Sequence, residues 1–175
     1  MSRSRLFLTR LATVVSFLFL SGSYAVATAQ QQYPTILTGS DLTHVVPTTF
    51  YFQGQSAPTQ MRNSAAVRLA DNSLVIAALV DTSGYSSEVR GKYEGFFITD
   101  SPIKLGGSDL SVGAYGFGFT ADGKVNIFDV GGKQVMSAEA HKDTDLKRPR
   151  PLMMVKGPDG VRLYDGRNYV TFQLR

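Results

Sequence analysis

The stretch that decides the fold is GFGFTADGKVNIFDVGGKQVM, residues 116–136, in which two glycine-containing turns separate three short apolar segments. Asp122-Gly123 and Gly131-Gly132 are pairs that tolerate positive φ, as both central positions of a type I′ β-turn require. The pattern therefore predicts three consecutive antiparallel strands joined by two tight hairpins.

Two-residue turns would also fix how these strands pair. They place Phe117 opposite Phe128, Phe128 opposite Val135 and Tyr115 opposite Val130, all on one face of the sheet. Small β-barrels can enclose a ligand with such a face, so Tyr115, Phe117 and Phe128 are candidate ligand-binding residues. The simpler interpretation is that these aromatic residues form the core.

Short apolar segments recur along the chain from Thr48 onward, separated by clusters of Asp, Asn, Gly and Pro, which is typical of consecutive strands. One short helix is expected over 86–93. The predicted strands are 48–54, 65–70, 74–80, 95–99, 110–120, 124–130, 133–138, 152–156, 161–164 and 169–174.

The fold class that follows is all-β. Gly116 and Gly118 lie inside a predicted strand, where glycine marks either strong curvature or a close approach by another group. Curvature favours a single small antiparallel β-barrel or half-barrel built on a meander, similar to a lipocalin by architectural analogy only. A β-sandwich is the alternative, and neither fold fixes a function.

Residues 1–29 have the composition of a cleavable signal peptide. Three arginines in the first ten residues precede an apolar run, 11–20, that is shorter than the ~20 residues of a membrane-spanning helix. Ala27-Thr28-Ala29 then fits the A-x-A cleavage pattern. We therefore expect export by general secretion to the periplasm or the medium, with no integral membrane span after cleavage.

Two further parts follow the expected signal peptide. Residues 30–47 are polar and unpatterned, which predicts a flexible N-terminal arm, and residues 48–175 form the predicted β-domain.

Charge and cysteine content narrow the function classes. The chain has 18 basic and 14 acidic residues, but only 15 basic residues remain once the three leader arginines are removed. Such a nearly neutral protein gives no support for a nucleic-acid partner. There is no cysteine, which excludes thiol chemistry and cysteine-ligated metal, and two histidines do not suggest a metal site. No cofactor is expected.

The sharpest catalytic candidate is Asp81, in the segment Leu79-Val80-Asp81-Thr82-Ser83-Gly84. This segment resembles the Asp-Thr-Gly loop of aspartic proteases, in which an apolar strand delivers an aspartate into a tight turn. The resemblance implies two aspartates sharing one proton, so a chain with a single loop would have to dimerise. Ser83 occupies the place of the expected glycine. The simpler interpretation is that Asp81 caps its own turn.

A basic cluster, Lys147-Arg148-Pro149-Arg150-Pro151, adds two more candidates for ligand binding. Arg148 and Arg150 are held on a stiff, extended backbone, and their guanidinium groups suit a carboxylate or phosphate. The simpler interpretation is that they pair with nearby Asp143 and Asp145.

The sequence favours a non-catalytic periplasmic or secreted binding or accessory protein, with an apolar or amphipathic small molecule or an envelope protein as its partner. An aspartyl hydrolase centred on Asp81 is one alternative. A structural envelope protein that pairs its strands edge to edge is another.

Overall fold

The structure is a computed structural model of the chain and describes residues 34–175. The expected signal peptide, residues 1–29, lies outside the described residues. In chain order the elements are β1 (Thr35–Ile36), α1 (Gly39–Val45), β2 (Thr49–Phe52), β3 (Gln55–Arg68), β4 (Leu74–Val80), α2 (Ser87–Arg90), β5 (Gly95–Thr99), β6 (Ile103–Leu105), β7 (Ser108–Leu110), β8 (Gly113–Phe119), β9 (Lys124–Phe128), β10 (Gln134–Glu139), β11 (His141–Lys142), β12 (Arg150–Gly157), β13 (Gly160–Gly166) and β14 (Asn168–Leu174).

These strands form two antiparallel sheets. The first has the order β1-β3-β4-β5-β8-β9-β10, with β2 also paired to β3, and the second has the order β12-β13-β14-β6-β7, with β11 also paired to β14. The predicted all-β antiparallel fold is confirmed. Within residues 34–175 neither sheet closes on itself, so the architecture is open, as in a half-barrel or sandwich.

The two sheets share a core made by their inward-facing side chains. Phe97 of the first sheet meets Phe172 of the second edge to face, with ring centroids 5.8 Å apart. Other members include apolar side chains from both sheets: Val67, Val75, Phe117, Ile127, Ile103, Leu105, Leu163 and Val170.

A second core covers the outer face of the first sheet. The β2–β3 hairpin folds over that face and places Phe50 on Phe96 (4.8 Å between ring centroids) and Phe52 on Tyr93 (4.0 Å). Because both faces of the first sheet are buried at β4, this strand reads LVIAALV, apolar at consecutive rather than alternate positions.

Two glycines of β8, Gly116 and Gly118, are explained by this second core. A Cβ on Gly116 would overlap the Phe52 ring, and one on Gly118 would overlap the backbone carbonyl of Lys92. They therefore mark close approach of the covering layer, the second of the two meanings that glycine within a strand can have.

Residues 34–47, the described part of the predicted arm, pack on the β-domain. Thr35 and Ile36 pair with Arg68 and Val67 of β3, and Leu37 is buried in the second core. Both helices of the described residues are short, so none there is long and apolar enough to cross a membrane.

The predicted pairing of the central hairpins is wrong by one residue. Phe117 pairs with Ile127, and Gly116 pairs with Phe128. Because neighbouring side chains along a strand point to opposite faces, this shift separates the two phenylalanines. Phe117 lies in the inter-sheet core and Phe128 in the second core.

The reason for the shift is the type of turn. The Thr120 N–H donates to the Lys124 carbonyl at 2.8 Å, which leaves a loop of three residues, 121–123. Of these only Gly123 has positive φ, at 83°. A type I turn followed by a left-handed glycine adds one residue to the two-residue loop predicted from Asp122-Gly123. The turn at Gly131-Gly132 is built in the same way, with Asp129 bonded to Lys133.

Candidate functional site

The three aromatic candidates do not share a surface. Phe117 and Phe128 are buried in separate cores. Tyr115 is half-buried at the edge of the inter-sheet core, and its hydroxyl donates to the Ser111 carbonyl at 3.0 Å. The prediction that they share one face of the sheet is therefore wrong. Ligand binding by these residues stays a prediction, but the shared face on which it was based is not present.

Asp81 is exposed and lies immediately after β4. Its Oδ1 accepts the backbone N–H of Ser83 at 3.0 Å, and hydrogen bonds from Ser83 lower the pKa of the carboxyl group. The local geometry is that of a side chain capping its own turn.

The arginines of the basic cluster 147–151 do not pair with their acidic neighbours. Asp143 instead accepts the Tyr164 hydroxyl at 2.9 Å and the backbone N–H of Asp145 at 3.1 Å. Arg148 and Arg150 are exposed, and within residues 34–175 neither guanidinium has an ion-pair or hydrogen-bond partner. The simpler interpretation, in which these arginines pair with Asp143 and Asp145, is wrong.

Arg150 lies at a groove between the edges of the two sheets, where β12 of the second sheet runs beside β1 and β3 of the first. The groove has a volume of about 260 Å³. We call it the seam groove. The residues that determine its chemistry are Ile36, Leu42, Arg62, Arg150, Leu152 and Met154.

The walls of the seam groove combine apolar surface with unpaired positive charge. Leu152 and Met154 are core residues of the second sheet, whereas Ile36 and Leu42 are half-buried. Arg62 enters from β3 on the other side and, like Arg150, has no acidic partner among the described residues. Guanidinium groups recognise carboxylates and phosphates through paired N–H donors. The groove can therefore hold a small molecule with one anionic and one apolar end.

Only part of this site was visible in the sequence. Arg150 was found because it belongs to a local basic cluster. Arg62 and Ile36 were missed, because no spacing of neighbouring residues shows that β1 and β3 run beside β12. The one local signal for this wall is that the apolar pair Ile36-Leu37 interrupts the polar segment 30–47.

Another cavity, of about 300 Å³, lies on the second sheet near the β6–β7 turn. Its lining is polar, including Lys104, Glu139, His141 and Asp159, and it offers an apolar ligand little surface to bury. The seam groove fits an amphipathic ligand better.

Comparison of the chain with protein-family models, with curated protein sequences and with solved structures gives no match. The chemistry of the site rests on its own residues.

Proposed function

We propose that the protein binds a small amphipathic anion, a carboxylate with a short apolar chain, in the seam groove. The observation that carries the proposal is that two guanidinium groups without acidic partners, Arg62 and Arg150, border a groove whose other walls are largely apolar. The apolar chain would lie against Leu152 and Met154, and the carboxylate would accept N–H donors from the arginines.

The dimensions of the groove limit the size and affinity of the ligand. Its volume of about 260 Å³ falls below the range of about 300–1,000 Å³ that holds drug-sized molecules. Because both arginines are exposed to solvent, their charge is partly screened. We therefore expect a dissociation constant between about 10 μM and 1 mM.

We further propose that binding takes place outside the cytoplasm, in the periplasm or the medium. Support comes from the basic and apolar pattern of residues 1–29 and from the A-x-A sequence that ends at Ala29. The intact mass of the secreted protein tests this, since cleavage after Ala29 would leave Gln30 as the first residue.

Titration with octanoate and with octanol tests the ligand class. These two probes have the same apolar chain and differ in the anionic head. We expect octanoate to bind and octanol to bind at least about tenfold more weakly, because only the carboxylate meets the guanidinium groups. Isothermal titration calorimetry or ligand-observed NMR measures both affinities.

The double variant Arg62→Gln, Arg150→Gln should remove the preference for octanoate. Arg148→Gln is a matched control, because Arg148 is also exposed and lies in the same segment but does not line the groove. Equal binding of the two probes to the unmodified protein, or octanoate binding that the double variant does not change, would contradict the proposal.

Assembly through β10 is a second candidate, which corresponds to a structural envelope protein. β10 ends the first sheet. Val135 within β10 is 45% exposed, and Val130 in the turn before it is 42% exposed. A β-bulge between Gln134 and Met136 and the charge of Glu139 oppose edge-to-edge pairing. Sedimentation velocity at increasing protein concentration separates the candidates, since a monomer throughout would leave only the binding function.

A further inference from the structure

A different cavity, of about 220 Å³, opens where β4 ends and β5 begins. We call it the acidic cavity. It is separate from the seam groove and shares no residue with it. The polar side chains that line it are Gln60, Thr82, Arg90, Tyr93, Glu94 and Asp165.

Two half-buried carboxyl groups from different sheets meet in the acidic cavity. Glu94 directly precedes β5, and Asp165 belongs to β13 beside the β13–β14 turn. Burial raises the pKa of both groups, and the charge of Asp165 adds to the effect on Glu94. Each carboxylate therefore stands in surroundings that penalise its negative charge.

Neither carboxylate is compensated by a positive group of the protein. Glu94 accepts one hydrogen bond, from the backbone N–H of Phe119 at 3.1 Å. Asp165 has no side-chain hydrogen bond or ion pair, and no Lys, Arg or His lies within 4.0 Å of either carboxylate in the described part of the chain. Half-buried charges are normally paired, so this arrangement favours a cationic group from a ligand.

Tyr93 closes the acidic cavity on the side of the second core. Its side chain is fully buried and its ring stacks on that of Phe52, with 4.0 Å between ring centroids. Its hydroxyl is buried on the side of Tyr85 and is not exposed to the cavity. Gln60 is already engaged, because its Nε2 donates to the Val80 carbonyl at 2.9 Å. A ligand in the cavity therefore meets the carboxylates of Glu94 and Asp165 rather than the Tyr93 hydroxyl.

The acidic cavity has negative groups in its interior and a positive group at its rim. Arg90, the last residue of α2, is exposed, lines the same cavity, and has no partner for its guanidinium within residues 34–175. A ligand that reaches from the carboxylates to Arg90 needs a positive and a negative end. A metal ion fits less well, because no group of three His, Asp or Glu side chains is present in the described residues.

We propose that the acidic cavity binds a small zwitterion, an amino acid of short side chain, with Glu94 and Asp165 accepting its ammonium N–H groups and Arg90 pairing with its carboxylate. The proposal is independent of the function assigned to the seam groove. The limited volume selects for compact ligands.

Three small probes with three-carbon skeletons separate the two charges: L-alanine, propylamine and propionate. At pH 7 we expect L-alanine to bind most tightly, propylamine more weakly and propionate not at all, as measured by ligand-observed NMR. Binding of L-alanine and propylamine should weaken as the pH falls through the raised pKa values, because protonated carboxyl groups no longer attract an ammonium group.

Variants assign the two ends of the ligand. The double variant Glu94→Gln, Asp165→Asn should weaken both ammonium compounds at least about tenfold, because each loses charge-assisted hydrogen bonds. Arg90→Gln should reduce L-alanine to the affinity of propylamine and leave propylamine unchanged. Glu88→Gln is the control, since Glu88 is an exposed acid of α2 that pairs with Lys92 and does not line the cavity.

The result that would overturn the proposal is a folded protein to which neither L-alanine nor propylamine binds, or a double variant that binds both as the unmodified protein does. Thermal unfolding of each variant confirms that it folds. Removal of uncompensated charge should leave the double variant at least as stable as the unmodified protein at pH 7, so a folding failure is not expected.

Discussion

At the scale of single residues, Gly118 is a position where even a methyl group has no room. A Cβ there would overlap the carbonyl of Lys92, whose backbone crosses β8 in the covering layer. We expect Gly118→Ala to lower the free energy of unfolding by about 1–3 kcal/mol, because the backbone must move apart.

Urea unfolding of Gly118→Ala beside Gly84→Ala measures this effect. Gly84 is exposed, and the nearest atom to its added Cβ would be the flexible Gln55 side chain at 3.5 Å. Similar midpoints for the two variants would show that the covering layer does not lie as close to β8 as described.

The Glu94 carboxyl makes the stability of the protein depend on pH. Because burial raises its pKa, the folded state binds more protons than the unfolded chain between the ordinary and the raised pKa, and stability falls as the pH rises through that window. Glu94→Gln keeps an oxygen for the Phe119 N–H but removes the charge. We expect a higher melting temperature than that of the unmodified protein at pH 7, with the difference vanishing below about pH 4.

Glu139→Gln is the comparison for this pH series, since Glu139 is exposed on an edge strand. A melting temperature at pH 7 that Glu94→Gln leaves unchanged, or lowers, would contradict the account of Glu94 as an uncompensated charge.

Residues of the two sites differ in how far a sequence can reveal them. Asp81 and Arg150 belong to recognisable local patterns, and only the structure shows that one caps a turn while the other borders a groove. Glu94, Asp165 and Arg62 have no local pattern. They become site residues because strands distant in sequence lie side by side, which no spacing of neighbouring residues encodes.

At the scale of elements, the β2–β3 hairpin has the turn geometry that was predicted elsewhere. Gln53 (φ 48°) and Gly54 (φ 82°) both have positive φ and form a two-residue loop between Phe52 and Gln55. Glutamine is unfavourable in the left-handed region, where asparagine is several-fold enriched.

We therefore expect Gln53→Asn to raise the free energy of unfolding, by about 0.5–1 kcal/mol, in urea or thermal unfolding. Gln55→Asn, in the adjoining strand, makes the same chemical change outside the turn and should give no gain. Destabilisation by Gln53→Asn would mean that the Gln53 side chain, which lies against Gly132, contributes more than its backbone strain costs.

Strand positions were predicted better than strand pairing. The bounds of β4 and β5 match the prediction, because each is an apolar run ended by turn residues. The pairing of β8 with β9 differs from the prediction by one residue, because Asp122-Gly123 is compatible with two loop lengths that differ by one residue. β6 was missed since three residues after a proline give too short a pattern.

At the scale of the whole molecule, the segment before β2 is part of the folded unit. Leu37 and Val46 are buried in the second core, and burying each is worth about 1.5–3 kcal/mol. A chain that starts at Thr48 should therefore be less stable by about 3 kcal/mol or more, as measured by urea unfolding. The matched control starts at Pro34 and keeps both residues.

Equal stability of the two truncated chains would show that residues 34–47 are only loosely docked. It would also remove one wall of the seam groove from the folded unit, because Ile36 and Leu42 belong to this segment. Octanoate binding to the chain that starts at Thr48 is therefore a second readout.

Because β4 is buried on both faces, its sequence is a long apolar segment, which is exposed while the chain is unfolded. β4 contributes seven apolar residues in succession, with no charge and no proline, to the unfolded chain. Windows of this kind associate with their own copies into cross-β aggregates. Charged residues stand on both sides of the window, Arg68 and Asp71 before it and Asp81 directly after it. Charges in such flanking positions act as gatekeepers, because stacking identical chains would bring them together. This protection of the unfolded chain gives Asp81 a role that needs no catalysis.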